Sequence, residues 1–160
     1  MTLRHLYIMT TNIWISNVMR CIKNFCDVYS VDNMKDPMSY PAYLIVNFSP
    51  SFSRGTHFIA IIFDEEKNCT YFDPLGLRTA PKQIEDFMKK NSKNVEKIHH
   101  PIQNPFSGYC GFYCMMVIMI HANKMYISST LYNFPLMSLK NDELCISVLT
   151  KLFELYFLKN

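Results

Sequence analysis

Glycine is scarce in this sequence, with four in 160 residues, and tryptophan occurs once. So few glycines exclude a flexible Gly-rich linker and make the place of each one informative. No apolar run approaches the roughly 18 residues that a bilayer-spanning helix needs, so no membrane partner is expected. The longest, residues 115–120, reads as a buried helix. Dense Lys/Arg runs are also missing. Lys82, Lys89, Lys90, Lys93 and Lys97 are spread out, as on a solvated helix face. With a net charge of +3, weak DNA binding is left open but not demanded. From Met1 onward the chain lacks the layout of a signal peptide. The six cysteines (Cys21, Cys26, Cys69, Cys110, Cys114 and Cys145) are therefore expected as free thiols in a reducing compartment, although their even count alone would suit disulfides.

Apolar residues are plentiful, at 49% of the sequence. A chain of this length buries roughly 70% of its unfolded surface, so residues 1–160 are expected to form one domain with a full core.

Thr10, Thr11 and Asn12 offer caps for a first helix. Trp14, Val18, Cys21, Ile22 and Phe25 recur behind them at helical spacing, so that helix is expected to end near Tyr29. Residues 30–41 read as a polar, Pro-containing loop. The period then changes. Residues 42–48 and 56–63 are short apolar, β-branched runs, as in buried strands, and residues 69–73 make a third. The last two are expected to pair as a hairpin across the polar turn at 64–68. Pro81 suits the first turn of a helix whose apolar face is Ile84, Phe87 and Met88. Residues 95–99 suit a short strand, and a strongly apolar helix runs from Cys110 to about Asn123. Asn141 and Asp142 are expected to cap a last helix with the stripe Leu144, Val148, Leu152 and Leu155. The order of elements makes the fold α+β.

Cys110 lies between an irregular segment and that apolar helix. A thiol at a helix N-terminus meets unpaired N–H groups and the positive end of the dipole, which favour its thiolate. Gly108 and Gly111 leave room for a substrate backbone. A buried cysteine at a purely structural helix start fits these facts as well. Five histidines compete as its base. His121 lies eleven residues along the same helix, roughly 16 Å away at 1.5 Å per residue, and is excluded if the helix is continuous. His5 sits in an expectedly loose terminus. His99 and His100 remain open, and His57 opens an otherwise apolar strand. Asp73 ends the strand expected to pair with that of His57, so both would sit near one end of the sheet. There Asp73 could orient the imidazole, or it could simply be a turn residue before Pro74. Gln103, seven residues before Cys110, is a candidate amide donor to an oxyanion together with the Cys110 N–H. A zinc site of Cys110, Cys114 and His121 fails, because one helix offers at most two ligands to one ion at i, i+4 spacing. No metal and no cofactor is expected.

The ordered set Gly55-Thr56-His57-Phe58, Tyr71-Phe72-Asp73-Pro74-Leu75-Gly76 and Gln103-Asn104-Pro105-Phe106-Ser107-Gly108-Tyr109-Cys110-Gly111-Phe112-Tyr113-Cys114 resembles the adenovirus-type maturation proteases. These are relatives of the proteases that remove ubiquitin-like modifiers. The resemblance implies a papain-like cysteine protease fold of the adenain type, with a central mixed sheet flanked by helices. It implies the catalytic set His57, Asp73, Gln103 and Cys110; Cys114 itself reads as core packing and not as a resolving thiol. It also implies a monomer that processes viral capsid or virion precursor proteins next to glycine, in the host cell cytoplasm or viral factory, and that is packaged in the virion. Phe58 stands where the family usually has Trp, and Asp73 where adenoviral enzymes tend to have Glu. No cysteine lies around residues 91–100, so a disulfide-bonded activating peptide is not expected. In its small size and compact C-terminal part the chain is similar to the proteases of virophages and Maverick/Polinton elements. Two other readings stay open: removal of a ubiquitin-like modifier, and a catalytically silent binding module on the same fold.

Overall fold

The computed structural model describes residues 11–53 and 56–160. His5, Thr10 and Gly55 lie outside the described residues. Helix α1 (Asn12–Met19) is capped by Thr11, whose hydroxyl accepts from the Trp14 N–H at 3.2 Å. Its buried residues are Ile15 and Met19, with Trp14 and Val18 packed against the same core. The helix stops well short of Tyr29. Asn24 turns the chain with φ of 69°, and Phe25–Ser30 forms strand β1. The helical reading failed because Phe25 and Val28 touch the same core as α1, and their spacing of three mimics a helix face. Pairing decides the matter, since β1 lies parallel to β2 (Ala42–Asn47). Asp27 of β1 accepts a hydrogen bond from the Ser16 hydroxyl at 2.6 Å, tying the strand back to the helix.

Strands β3 (Phe58–Phe63) and β4 (Asn68–Phe72) form the expected antiparallel hairpin. Asp64 closes its turn by accepting from the backbone N–H groups of Glu66 and Asn68. Helix α2 (Lys82–Asn91) then crosses over, and β5 (Asn94–Ile98) adds parallel to β4. Pro81 occupies the N-cap of α2 and not its first turn. The result is a mixed five-stranded sheet in the order β1-β2-β3-β4-β5. Every residue of β2 and β3 is buried, because helices cover both faces. On one face Leu44, Val46, Ile59 and Ile61 meet Ile84, Phe87 and Met88 of α2. On the other, Tyr43, Ile45, Ala60 and Ile62 meet α1 and helix α3 (Cys110–Ala122). Each fully buried Leu, Ile, Val or Met side chain among these contributes about 1.5–3 kcal/mol.

Helix α3 is buried from Cys110 to Ile120, between the sheet and helix α5 (Asn141–Lys159), which is why its sequence shows no polar face. A short helix, α4 (Ile127–Leu131), occupies a stretch the sequence left unassigned. The buried stripe of α5 is Cys145, Leu149, Leu152 and Tyr156, so the expected stripe is displaced by one position except at Leu152. Asn141 and Asp142 do not cap α5. Lys140 holds the N-cap position without a side-chain bond, and both predicted caps reach across to another segment. Of the scattered lysines, Lys82, Lys90 and Lys97 pair with Asp86, Asp36 and Glu85, and Lys97 lies on β5, off the helix. No described helix is long and apolar enough to cross a membrane.

Candidate active site

The sheet register sets the site. Ala60 lies opposite Phe72 in the β3–β4 pair, so His57, just before β3, and Asp73, just after β4, emerge at the same end. His57 Nε2 lies 2.8 Å from Asp73 Oδ1. With Nε2 on Asp73, Nδ1 is the ring nitrogen open to Cys110, which lines the same cleft and helps raise the imidazole pKa. Asp73 is fully buried, and its Oδ1 also accepts from the Leu75 N–H at 2.8 Å. The strand end and its turn therefore fix one carboxylate oxygen on the imidazole.

Burial pulls the His57 pKa down, but hydrogen bonds to Asp73 and Cys110 and their negative charge outweigh it and push the value up to about 9. The ring is thus an imidazolium at neutral pH. Because the folded value lies above the ordinary one, its stabilising contribution is complete below about 6.5 and is lost as pH rises through about 9. The other described histidines are engaged elsewhere or point away. His121 Nδ1 pairs with the Tyr43 hydroxyl at 3.1 Å, and burial lowers its pKa. His100 faces the Phe134 carbonyl, and His99 is exposed.

Cys110 is the first residue of α3, and no side chain caps that end. Its N–H and those of the first turn have no acceptor within the helix. At Gly111 a Cβ would stand 2.8 Å from Ile15 Cδ1, so the glycine allows α1 to close on the start of α3. Gly108 has open space on its Cβ side. By contrast, burial pushes the thiols of Cys114 and Cys145 well above their usual range and that of Cys69 up to about 12. Cys114 sits in the core with no exposed surface.

Gln103 is buried, and its Nε2 donates to the Ser107 carbonyl at 2.6 Å. That bond uses one amide N–H and fixes the side chain's orientation, leaving the second N–H for another acceptor. The Pro74 carbonyl accepts from the backbone N–H of both Ile102 and Gln103, at 3.1 and 3.0 Å, which ties the Gln103 segment to the Asp73 turn. Gly76 completes this turn at φ 67°, where an added Cβ would lie 2.8 Å from Pro101 Cβ. His57, Gln103 and Cys110 line one cleft of about 330 Å³ with Thr56, Phe58, Leu75, Pro105, Ser107 and Gly108. Among the described residues no group of three His, Cys, Asp or Glu side chains is placed to hold a metal ion.

Two positions near His57 escaped the sequence reading. The ring of Phe48 stands edge-on to the imidazole with centroids 5.1 Å apart. Asn47 is buried, and its Oδ1 accepts from the N–H groups of Ser49 and Thr56, bracing the loop that leads into His57. The available signal was a lone Asn ending an apolar strand, since a buried polar side chain needs partners.

A comparison with curated proteins returns no significant match. Among solved structures, an ASFV protease is similar over 59% of this chain and 39% of its own, at 16% identity and a TM-score of 0.47. The chain thus spans about two fifths of that protein's length. The central domain of an uncharacterized Legionella pneumophila protein is similar over 82% of this chain and 86% of its own, at 14% identity and a TM-score of 0.38. The family model of the adenovirus endoprotease matches residues 34–148, more than two thirds of the sequence, and the chain belongs to that family of cysteine peptidases.

Proposed function

We propose that this chain is a cysteine endopeptidase that cuts viral capsid or virion precursor proteins beside glycine. The observation that carries the catalytic reading is His57, held by Asp73 on one ring nitrogen and lining a single cleft with Cys110 and Gln103. Cys110 attacks the scissile carbonyl as a thiolate supported by the His57 imidazolium, forming a C–S bond. The carbonyl oxygen takes the negative charge and is held by the Cys110 N–H and the Gln103 amide, each donor being worth on the order of 3 kcal/mol. As the C–N bond breaks, the imidazolium gives its proton to the leaving amine. The neutral imidazole then takes a proton from water, whose oxygen attacks the thioester carbon, and the second collapse expels the Cys110 thiolate. Asp73 keeps the ring oriented throughout. The glycine preference and the precursor substrates rest on family membership. Action in the host cytoplasm or viral factory, with packaging in the virion, belongs to the same proposal.

Incubating the chain with a proteome-derived peptide library and mapping new termini by mass spectrometry tests this reading. The expected result is cleavage with glycine at P1 and none with the Cys110→Ala chain. Uncut peptides throughout would refute it. The pH profile gives a second check. The kcat/KM alkaline limb is expected near pH 9, where His57 loses its proton. Asp73→Asn removes the main partner that raises this pKa, so the limb moves to lower pH and part of the activity remains. A limb unmoved by Asp73→Asn takes Asp73 out of the site.

A further inference from the structure

Asp142 stands at the start of α5, far in sequence from the cleft and outside the four residues of the proposed mechanism. Its Oδ1 accepts two hydrogen bonds, from the Ser107 hydroxyl at 2.9 Å and from the Tyr113 hydroxyl at 2.8 Å. Tyr113 belongs to the first turn of α3, and Ser107 lies on the cleft wall. One carboxylate oxygen thus joins the helix that carries the nucleophile to the loop before it.

Ser107 holds three further bonds, one of them from its own N–H to the Asn104 carbonyl at 2.9 Å. Its hydroxyl oxygen accepts from the Tyr109 N–H at 3.2 Å, next to Cys110, and its carbonyl accepts from Gln103 Nε2 at 2.6 Å. The orientation of the Gln103 amide therefore depends on where Ser107 sits. The neighbouring Asn141, also buried, donates to the Ile102 carbonyl at 2.7 Å, just before Gln103. Two consecutive residues of α5 thus grip both ends of the segment that supplies the oxyanion donors. A negative charge in the first turn of a helix also favours that helix, so α5 gains from Asp142 whether or not the cleft does.

We propose that Asp142 is a positioning residue: through Ser107 it holds the Gln103 amide at the distance from the Cys110 N–H that an oxyanion requires. This inference rests on the protease reading above. Loss of Asp142 removes the anchor that ties Ser107 to α3 and α5, so the turn at residues 104–107 shifts as a unit and carries the Ser107 carbonyl, with the Gln103 amide bonded to it. Misplacement of a donor costs turnover more than binding, because the oxyanion exists only beyond the ground state.

The test is a double-mutant cycle on the best-cleaved library peptide, with thermal midpoints measured alongside. Asp142→Ala is expected to lower kcat about 10- to 100-fold with KM within about threefold. Asp142→Asn, which keeps an acceptor oxygen, is expected to restore kcat to within about threefold of the unmodified chain. In a Gln103→Ala background the Asp142→Ala change is expected to cost less than about threefold, since the donor it positions is gone. Ser107→Ala keeps the carbonyl and deletes the hydroxyl's bonds to Asp142 and to the Tyr109 N–H, so it loses at least as much kcat as Asp142→Ala even if the latter chain folds poorly. Equal kcat losses for Asp142→Ala with and without Gln103 would overturn the role and leave α5 stability as the whole effect. An unaltered kcat in Ser107→Ala would overturn it too. If the unmodified chain cuts no peptide, the protease reading falls and takes the Asp142 role with it.

Discussion

Replacing Cys110 by alanine removes peptide cleavage, with a fall in kcat on the order of 10⁵–10⁶-fold, and leaves the fold standing. The size follows from the mechanism, since no acyl-enzyme forms without the sulfur. The intact fold follows from the position. Cys110 is the first residue of α3, at the cleft wall, and its side chain is small. Alanine also favours a helix more than cysteine does. The neighbouring Cys114 offers no substitute, because it is fully buried and its thiol is pushed well above the usual range. Kinetics on the purified variant, with its circular dichroism spectrum and thermal midpoint, check both halves. A Cys110→Ala chain that cuts at the normal rate would remove the nucleophile from the account.

His57→Ala and His121→Ala are expected to separate cleanly. His57→Ala lowers kcat on the order of 10⁴-fold or more at neutral pH, because both the support for the thiolate and the proton for the leaving amine disappear. His121→Ala leaves kcat within about twofold, its bond being made at the far end of α3, but deprives the Tyr43 hydroxyl of its partner. That loss costs about 1–3 kcal/mol of stability and is read as a lower thermal midpoint. The reverse pattern, with His121 essential and His57 dispensable, would show that the base has been wrongly assigned.

The parts of this site that the sequence reveals are those fixed by local chemistry. β2, β3 and β4 show as apolar runs because both sheet faces are covered. His57 and Asp73 then follow, as the polar residues at the ends of paired strands. α3 shows as an unbroken apolar stretch with Cys110 at its start. β1 was hidden because Phe25 extends the spacing of α1, and only the turn at Asn24 and pairing with β2 break the helix. The phase of α5 was misread because exposed Leu144 and half-buried Leu155 look as apolar as the buried Leu149 and Leu152. Asn141 and Asp142 carry the sequence pattern of helix caps, yet their partners Ile102 and Ser107 lie 39 and 35 residues upstream. No periodicity encodes bonds of that range; they exist only once α5 has docked on α3.

The central claim is the pairing of Cys110 with His57, and it is read most directly from thiol reactivity at pH 6. Iodoacetamide labelling, mapped by mass spectrometry, compares all six cysteines in one sample. Cys110 is predicted to react at least about tenfold faster than the exposed Cys21 and Cys26, while buried Cys69, Cys114 and Cys145 stay unlabelled. In His57→Ala the Cys110 advantage should vanish. Labelling of Cys110 no faster than Cys21, or as fast without His57 as with it, would contradict the pairing.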